Sequence, residues 1–464
     1  MNIVIVSFFD DNFGDTLIGI AFEALLKVAL ENHGLERKDY YIDKMYLKEI
    51  DYNLLTNADA IFFSGLGGGF GFNYMRVTNY YDEITKIAEE RNIPVMFCAV
   101  GLNNIESNPE NDAFLRAILQ RKSVKSFAAR DNFDAFEEFV TNCDYNLDRV
   151  CDPAVWTQYV YGLERPRASD IIGINVIRGG IFRDNHKPWD MGDELKYLAD
   201  LRERLKASSK RVLFYTNGSI VDNNTLRYFA QKYEIPNDEV VYLNTTREVV
   251  ETISKFRAVV AFRMHSLIIA YSFRTPAIGL AWNKKIDSFC QSTNQSERAL
   301  AFEDWNGEMV FNKLNPLLVE PPPSGNDAEY KDYLMLIYRH LYETIARNVL
   351  AHTAEQTQDI YDFDKVASTL VANSHEVGGD EFDLRFKLER GESQYLLRFM
   401  ELRKKSDEIS KLKKKLATLK QDNEDKQKQI SKQADELKRI NSYVIVRILK
   451  YGRRKMRKLT TLKK

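Results

Sequence analysis

The 464-residue chain is 44% hydrophobic and 12% aromatic, enough to bury two or more cores, and no apolar run reaches the length of a transmembrane span. Its four cysteines, Cys98, Cys143, Cys151 and Cys290, have neither metal-ligand spacing nor the framework of a short secreted domain, which points to reduced thiols in a cytosolic protein. The 66 basic and 67 acidic residues nearly cancel, but 9 of the basic ones lie in 447–464 with no acid among them, so the body is acidic and the tail basic.

Met1 to Phe9 is apolar, lacks a basic lead and runs into Asp10-Asp11, so it reads as a first strand and not a signal peptide. Ile3–Phe8, Ala60–Phe63, Val95–Val100 and Val124–Ala129 are continuous apolar runs of strand length. Helical periodicity separates them, beginning with Leu17, Ala21, Ala24, Leu25 and Val28 on one face. This alternation predicts a parallel sheet covered on both sides. Arg165-Pro166-Arg167 interrupts the pattern, and a second series follows: Ile171–Ile177, Val212–Thr216, Val240–Leu243, Ala258–Phe262 and Ala277–Ala281, with a helix over 193–207. The expected fold is α/β, with two Rossmann-like doubly wound parallel-sheet domains over 1–165 and 166–320 facing one cleft, and a C-terminal helical and coiled-coil extension.

Pro321-Pro322-Pro323-Ser324-Gly325 is a stiff linker to a helical extension over 327–390, with a break at Gly378-Gly379. Over 392–442, Leu402, Ile409, Leu416, Asn423, Ile430 and Leu437 form one seam of a heptad. A single seam Asn favours two strands in fixed register, hence a parallel homodimer through 402–440. Lys405, Lys426 and Gln433 interrupt the second seam, so a solvated single helix packed on the body is the alternative. From 443 to 464, Ile445, Ile448, Leu449, Met456 and Leu459 share one helical side, with Arg447, Lys450, Arg454, Arg457 and Lys458 largely on others. Such a basic amphipathic tail suits anionic headgroups, placing a cytoplasmic protein peripherally on the inner face of the plasma membrane. The acidic body argues against nucleic acid.

Ligands of open α/β sheets bind beyond the carboxyl ends of the strands. The first strand leads to Asn12, Gly14 and Asp15; the next ends at Ser64 in Gly65-Leu66-Gly67-Gly68-Gly69; later ones end at Gly101 and at Arg130-Asp131. The glycine run fits neither G-x-G-x-x-G, because position 70 is Phe, nor a Walker A motif. Its N–H groups can meet an anion, and a tight turn explains it equally well. Asp15 can cap its helix or orient and deprotonate a sugar hydroxyl. Arg130-Asp131 reads as a helix-start ion pair of little energetic value, and Asp152-Pro153 as a turn. If the strand through Ala258–Phe262 continues, Arg263 and His265 lie on one side: a guanidinium to grip a carboxylate or phosphate beside an imidazole able to give or take a proton. Lys284 and Lys285 end the following strand. No zinc-protease motif, G-x-S-x-G elbow, metal site or cofactor motif is present in the sequence.

Together Asn12-Phe13-Gly14-Asp15, Ala129-Arg130-Asp131, Asp152-Pro153-Ala154, Arg263-Met264-His265-Ser266 and the run from Tyr271 through Pro276 to Lys285 resemble the polysaccharide pyruvyl transferase family over about residues 1 to 310. The resemblance implies an architecture similar to GT-B glycosyltransferases, with phosphoenolpyruvate as donor and a sugar of a cell-surface polysaccharide or its lipid-linked precursor as acceptor, joined as a pyruvate ketal. Trp282 stands where the family more often has Tyr, and Lys284 adjoins the expected Lys285. On this reading His265 and Asp15 are catalytic, and Arg263, Lys285, Lys284, Ser64, Gly65, Gly67, Gly68, Asn12, Gly14, Gly101 and Arg130 bind substrate. Two alternatives stand beside it: a glycosyltransferase using a nucleotide sugar, and a non-catalytic membrane-bound scaffold of glycan assembly.

Overall fold

The computed structural model describes residues 1–7, 13–47, 49–65, 75–101, 109–164, 169–318, 327–350 and 358–377. These belong to one compact unit, Met1–Val377. The linker at 321–325, the segment 392–442 expected to form a coiled coil, the tail 443–464, and Asn12, Gly67 and Gly68 lie outside the described residues.

The chain forms two parallel-sheet α/β domains, as its apolar runs imply. The first sheet contains β1 (Asn2–Ser7), β2 (Tyr41–Tyr46), β3 (Ala60–Ser64), β4 (Val95–Val100), β5 (Val124–Ala129) and β6 (Leu147–Arg149), in the order β2-β1-β3-β4-β5-β6. The second contains β7 (Ile171–Asn175), β8 (Arg211–Tyr215), β9 (Ala258–Ala261), β10 (Ala277–Ala281) and β11 (Ala299–Ala301), in the order β11-β10-β9-β7-β8. Counted within each sheet, the first runs 2-1-3-4-5-6 and the second 2-1-3-4-5, so strand order reverses between β1 and β3 and again between β7 and β9. Such switch points open a crevice at the carboxyl ends of the strands.

β3 and β4 are buried along their whole length, which explains their unbroken apolar sequences. Val240–Leu243 departs from expectation: only Val240 pairs, through an isolated bridge to Phe214. Helix Phe13–Asn32 is buried nearly all round, because its Leu17 and Leu25 face is matched by Ile18, Phe22 and Leu26. Its start reaches the second domain, where Phe13 N–H donates to the carbonyl of Asn217 at 3.3 Å and the Phe13 ring fills the space a Cβ would take at Gly218. Helix Asp327–Asn348 follows the second sheet in sequence and bonds to both domains: Trp156 Nε1 donates to the Leu334 carbonyl at 2.8 Å, and Tyr330 Oη to that of Ser272 at 2.8 Å.

Candidate active site

The first domain's contribution centres on Asp152, which follows β6. Its carboxylate caps the 3-10 turn Pro153–Trp156 by accepting from Ala154 N–H at 2.9 Å, and it also accepts from Nη1 of Arg130, the residue after β5. Arg130, Asp131 and Asp152 are all buried. The expectation of a weak helix-start pair between Arg130 and Asp131 is therefore corrected. Arg130 Nε is 3.9 Å from Asp131, and the hydrogen-bonded partner is Asp152, away from water where the pair costs desolvation of both ions. Burial pushes the Asp152 carboxyl above its ordinary range, with Arg130 opposing the shift. Two further Arg130 atoms, Nε and Nη2, are buried without a hydrogen-bond partner among the described residues.

The second domain contributes the segment after β9, and here too an expectation changes. β9 stops at Ala261, Arg263 is the extended residue ahead of helix Met264–Ser272, and His265 lies in that helix's first turn. The two-residue spacing crosses a strand–helix boundary, so the side chains find different partners. Arg263 makes a bidentate pair with Asp222 of helix Ile220–Lys232, Nε at 3.0 Å and Nη2 at 2.7 Å, while its N–H donates to Asn175 Oδ1 at 3.1 Å. His265 meets the first domain instead: its Nε2 is 4.0 Å from Asp152 Oδ2, and its ring packs on Gly14. That Nε2 is buried and has no hydrogen-bond partner among the described residues. Burial, then Arg130, Lys285 and Arg263, hold the imidazole well below its usual pKa, so it is neutral at pH 7.

Lys285 begins the third contribution, in the first turn of helix Lys284–Ser292, where Asn283 Oδ1 accepts its N–H at 3.1 Å. Burial and the neighbouring Arg130 push its ammonium down to about 8, against the opposing charges of Asp131, Asp15 and Asp152. Arg130, Asp131, Asp152 and Lys285 form the charged side of a small cleft; Met264, Ile268, Phe289 and Tyr333 form most of the remainder.

The structure thus brings Arg130, His265 and Lys285 together, with Gly14 and Asp15 on the adjoining helix start. Gly101 is close as well, since a Cβ there would lie 2.9 Å from Arg130 Nε. Lys284 is exposed. Ser64 and Gly65 do not line the cleft: Ser64 is fully buried at the end of β3, and Gly65, at φ +54°, turns the side where a Cβ would project onto Ile18. Asp152, Asp222, Ser292 and Tyr333 were not singled out from sequence as site residues. An Asp before Pro was the only local signal for Asp152, and Tyr333 carried none, being brought in by a helix distant in sequence.

Among the described residues no helix is long and apolar enough to cross a membrane. The model of a family described as polysaccharide pyruvyl transferase matches residues 12–284. No curated protein matches the chain significantly. Similar solved structures include a putative UDP-N-acetylglucosamine 2-epimerase from Listeria monocytogenes, at 10% identity over 74% of this chain and 95% of the other with a TM-score of 0.46. The UDP complex of MnaA from S. aureus is 12% identical over 75% and 97%, with a TM-score of 0.44. UDP-GlcNAc 2-epimerase from Neisseria meningitidis, bound to UDP-GlcNAc, is 11% identical over 81% and 100%, with a TM-score of 0.43.

Proposed function

The chain belongs to the polysaccharide pyruvyl transferase family, and we propose that its cleft transfers the pyruvyl group of phosphoenolpyruvate to a sugar of a cell-surface polysaccharide or of its lipid-linked precursor, as a ketal. One observation carries this reading. Two buried donors, Nε and Nη2 of Arg130, lack hydrogen-bond partners among the described residues, close to His265 and the Lys285 ammonium. Buried donors of this kind want an acceptor, and a small polyanion supplies several.

The chemistry needs a proton on the donor's methylene carbon, which becomes the methyl group, and stabilisation of the cationic carbon beside it. One acceptor hydroxyl then bonds to that carbon and loses its proton, the carbon–oxygen bond to phosphate breaks, and a second hydroxyl closes the ketal with loss of its own proton. Arg130, Arg263 and Lys285 hold the donor's carboxylate and phosphate. His265 is the acid: burial is the main cause that keeps it neutral and Arg130, Lys285 and Arg263 add to it, and a bound polyanion offsets those cations, which raises its pKa and lets it carry the proton to be delivered. Asp15 positions the acceptor hydroxyl or takes its proton. The basic segment 443–464 keeps the enzyme on anionic lipid near its acceptor, and its deletion releases the protein from acidic vesicles; unchanged vesicle binding would refute that part.

The test is phosphate release from phosphoenolpyruvate with membrane-derived glycan acceptor, run beside nucleotide sugars. Wild type should consume phosphoenolpyruvate, and His265→Ala should remain folded and release almost no phosphate. Consumption of a nucleotide sugar in place of phosphoenolpyruvate, or full turnover by His265→Ala, would overturn the assignment.

A further inference from the structure

Resting on the reading of His265 as the acid, we propose that Asp152 is a positioning residue, whose carboxylate on the first domain holds the imidazolium that the second domain contributes.

Both partners are fixed before any substrate arrives. Asp152 Oδ1 accepts from Ala154 N–H at 2.9 Å and Oδ2 from Arg130 Nη1, so each oxygen is engaged as a carboxylate's would be. The chain that follows is tied to the second domain. Gln158 N–H donates at 2.8 Å to Oγ of Ser272, in the helix that carries His265, and Tyr161 Oη donates at 3.0 Å to Thr246 Oγ1 in helix Thr246–Ser254. His265 is set from its other side, with Nδ1 packed on Gly14. That leaves Nε2 toward Asp152, which lines the cleft.

At 4.0 Å the separation between Nε2 and Oδ2 is too long for a hydrogen bond, yet short enough for charge to act strongly away from water. This suits an acid: the carboxylate favours a proton on Nε2 without binding it, so the proton is free to leave. Of the other charged groups, Arg130, Lys285 and Arg263 all disfavour the imidazolium, and Asp131 bears on Asp152; burial keeps Cys151 and Tyr333 protonated. When the donor's phosphate and carboxylate engage the cations, Nε2 takes a proton from solvent and Asp152 balances the charge gained. The electron pair of the donor's double bond then takes that proton, a C–H bond forms as the N–H bond breaks, and the imidazole returns to neutral. Asp152 keeps its charge throughout.

The experiment is the pH profile of kcat for full-length Asp152→Asn at saturating phosphoenolpyruvate and acceptor. Asn keeps an oxygen for the Ala154 N–H and removes the charge. An opposite charge at this range raises a pKa by about one to three units, so the alkaline limb of kcat should move down by that much. The loss at about pH 7.5 should be tenfold or more, closing toward about pH 5. Because Asp152→Asn strands the Arg130 guanidinium, the comparison of Arg130→Gln/Asp152→Asn with Arg130→Gln reads the same displacement without that buried charge. A limb that stays in place in both comparisons overturns the proposal, as does a kcat loss of equal size at every pH. A defect confined to KM for phosphoenolpyruvate also overturns it, since Asp152 would then serve only to hold Arg130. If wild type turns over no phosphoenolpyruvate, or His265→Ala turns it over fully, the proposed function falls and this inference with it; an active, His265-dependent wild type with an unmoved limb in Asp152→Asn sinks the inference alone.

Discussion

Gly14 and His265 are in direct contact, so that a Cβ on Gly14 would overlap the Nδ1 of the imidazole. The start of the first domain's opening helix is thus the surface on which a second-domain side chain is set. Gly14→Ala improves intrinsic helix propensity, so helix weakness cannot account for any loss it causes. The added methyl must displace the ring from its place beside Asp152, and misplacement of a reacting group by about an ångström costs on the order of a hundredfold in rate. The variant should keep its circular dichroism spectrum and lose about that much kcat. Near wild-type turnover would mean that His265 need not sit where it does.

Lys285 supplies a pH signature. Its ammonium, lowered from the ordinary 10.5 to about 8, is charged below pH 8 and loses its proton as the pH rises past that value. Donor binding relies on that charge, so kcat/KM for phosphoenolpyruvate should fall on the alkaline side of about pH 8, while kcat/KM at pH 6.5 to 7.5 stays flat with respect to this group. Lys285→Arg retains a cation throughout the range and should erase the alkaline limb, even though its neutral-pH activity is lower. An alkaline limb that persists unchanged in Lys285→Arg would assign it to another group.

The parts read well from sequence are those whose burial is complete and local. The runs that became β3, β4, β7 and β9 are apolar on both faces, and nothing but an interior parallel strand accommodates that. β2, with Asp43 and Lys44 in its middle, and β6 and β11, only three residues each, are edge strands whose half-exposed sequences carry little signal. At the site, Arg263, His265 and Lys285 stood out because titratable residues closely follow apolar strands. The direction each takes did not, since it depends on where β9 ends and helix Met264–Ser272 begins. Arg130 and Asp152, 22 residues apart, become a buried pair only when β5 and β6 lie side by side, and Tyr333 enters only because a later helix bonds to both domains.

The Arg263–Asp222 pair separates support from chemistry. Asp222 is fully buried, and the Arg263 side chain is 23% exposed, so removing Arg263 strands a carboxylate in the interior. Asp222 also faces a second buried acid, Glu194, whose carboxyl is raised to about 8, mainly by burial and further by the Asp222 charge, despite the Gly180 N–H and Arg178. Arg263→Met should therefore destabilise the fold by roughly 3 kcal/mol at neutral pH. In that variant Asp222 has a raised folded-state pKa, so its penalty is absent when the carboxyl is protonated and grows as the pH rises, and the Tm gap to wild type should narrow toward pH 5. Adding Asp222→Asn removes the stranded charge and should restore most of the lost Tm. Turnover is then the deciding measurement: if Arg263 grips the donor, the stable double variant stays inactive, whereas recovery of activity together with stability would reduce Arg263 to a scaffold for the turn that carries His265.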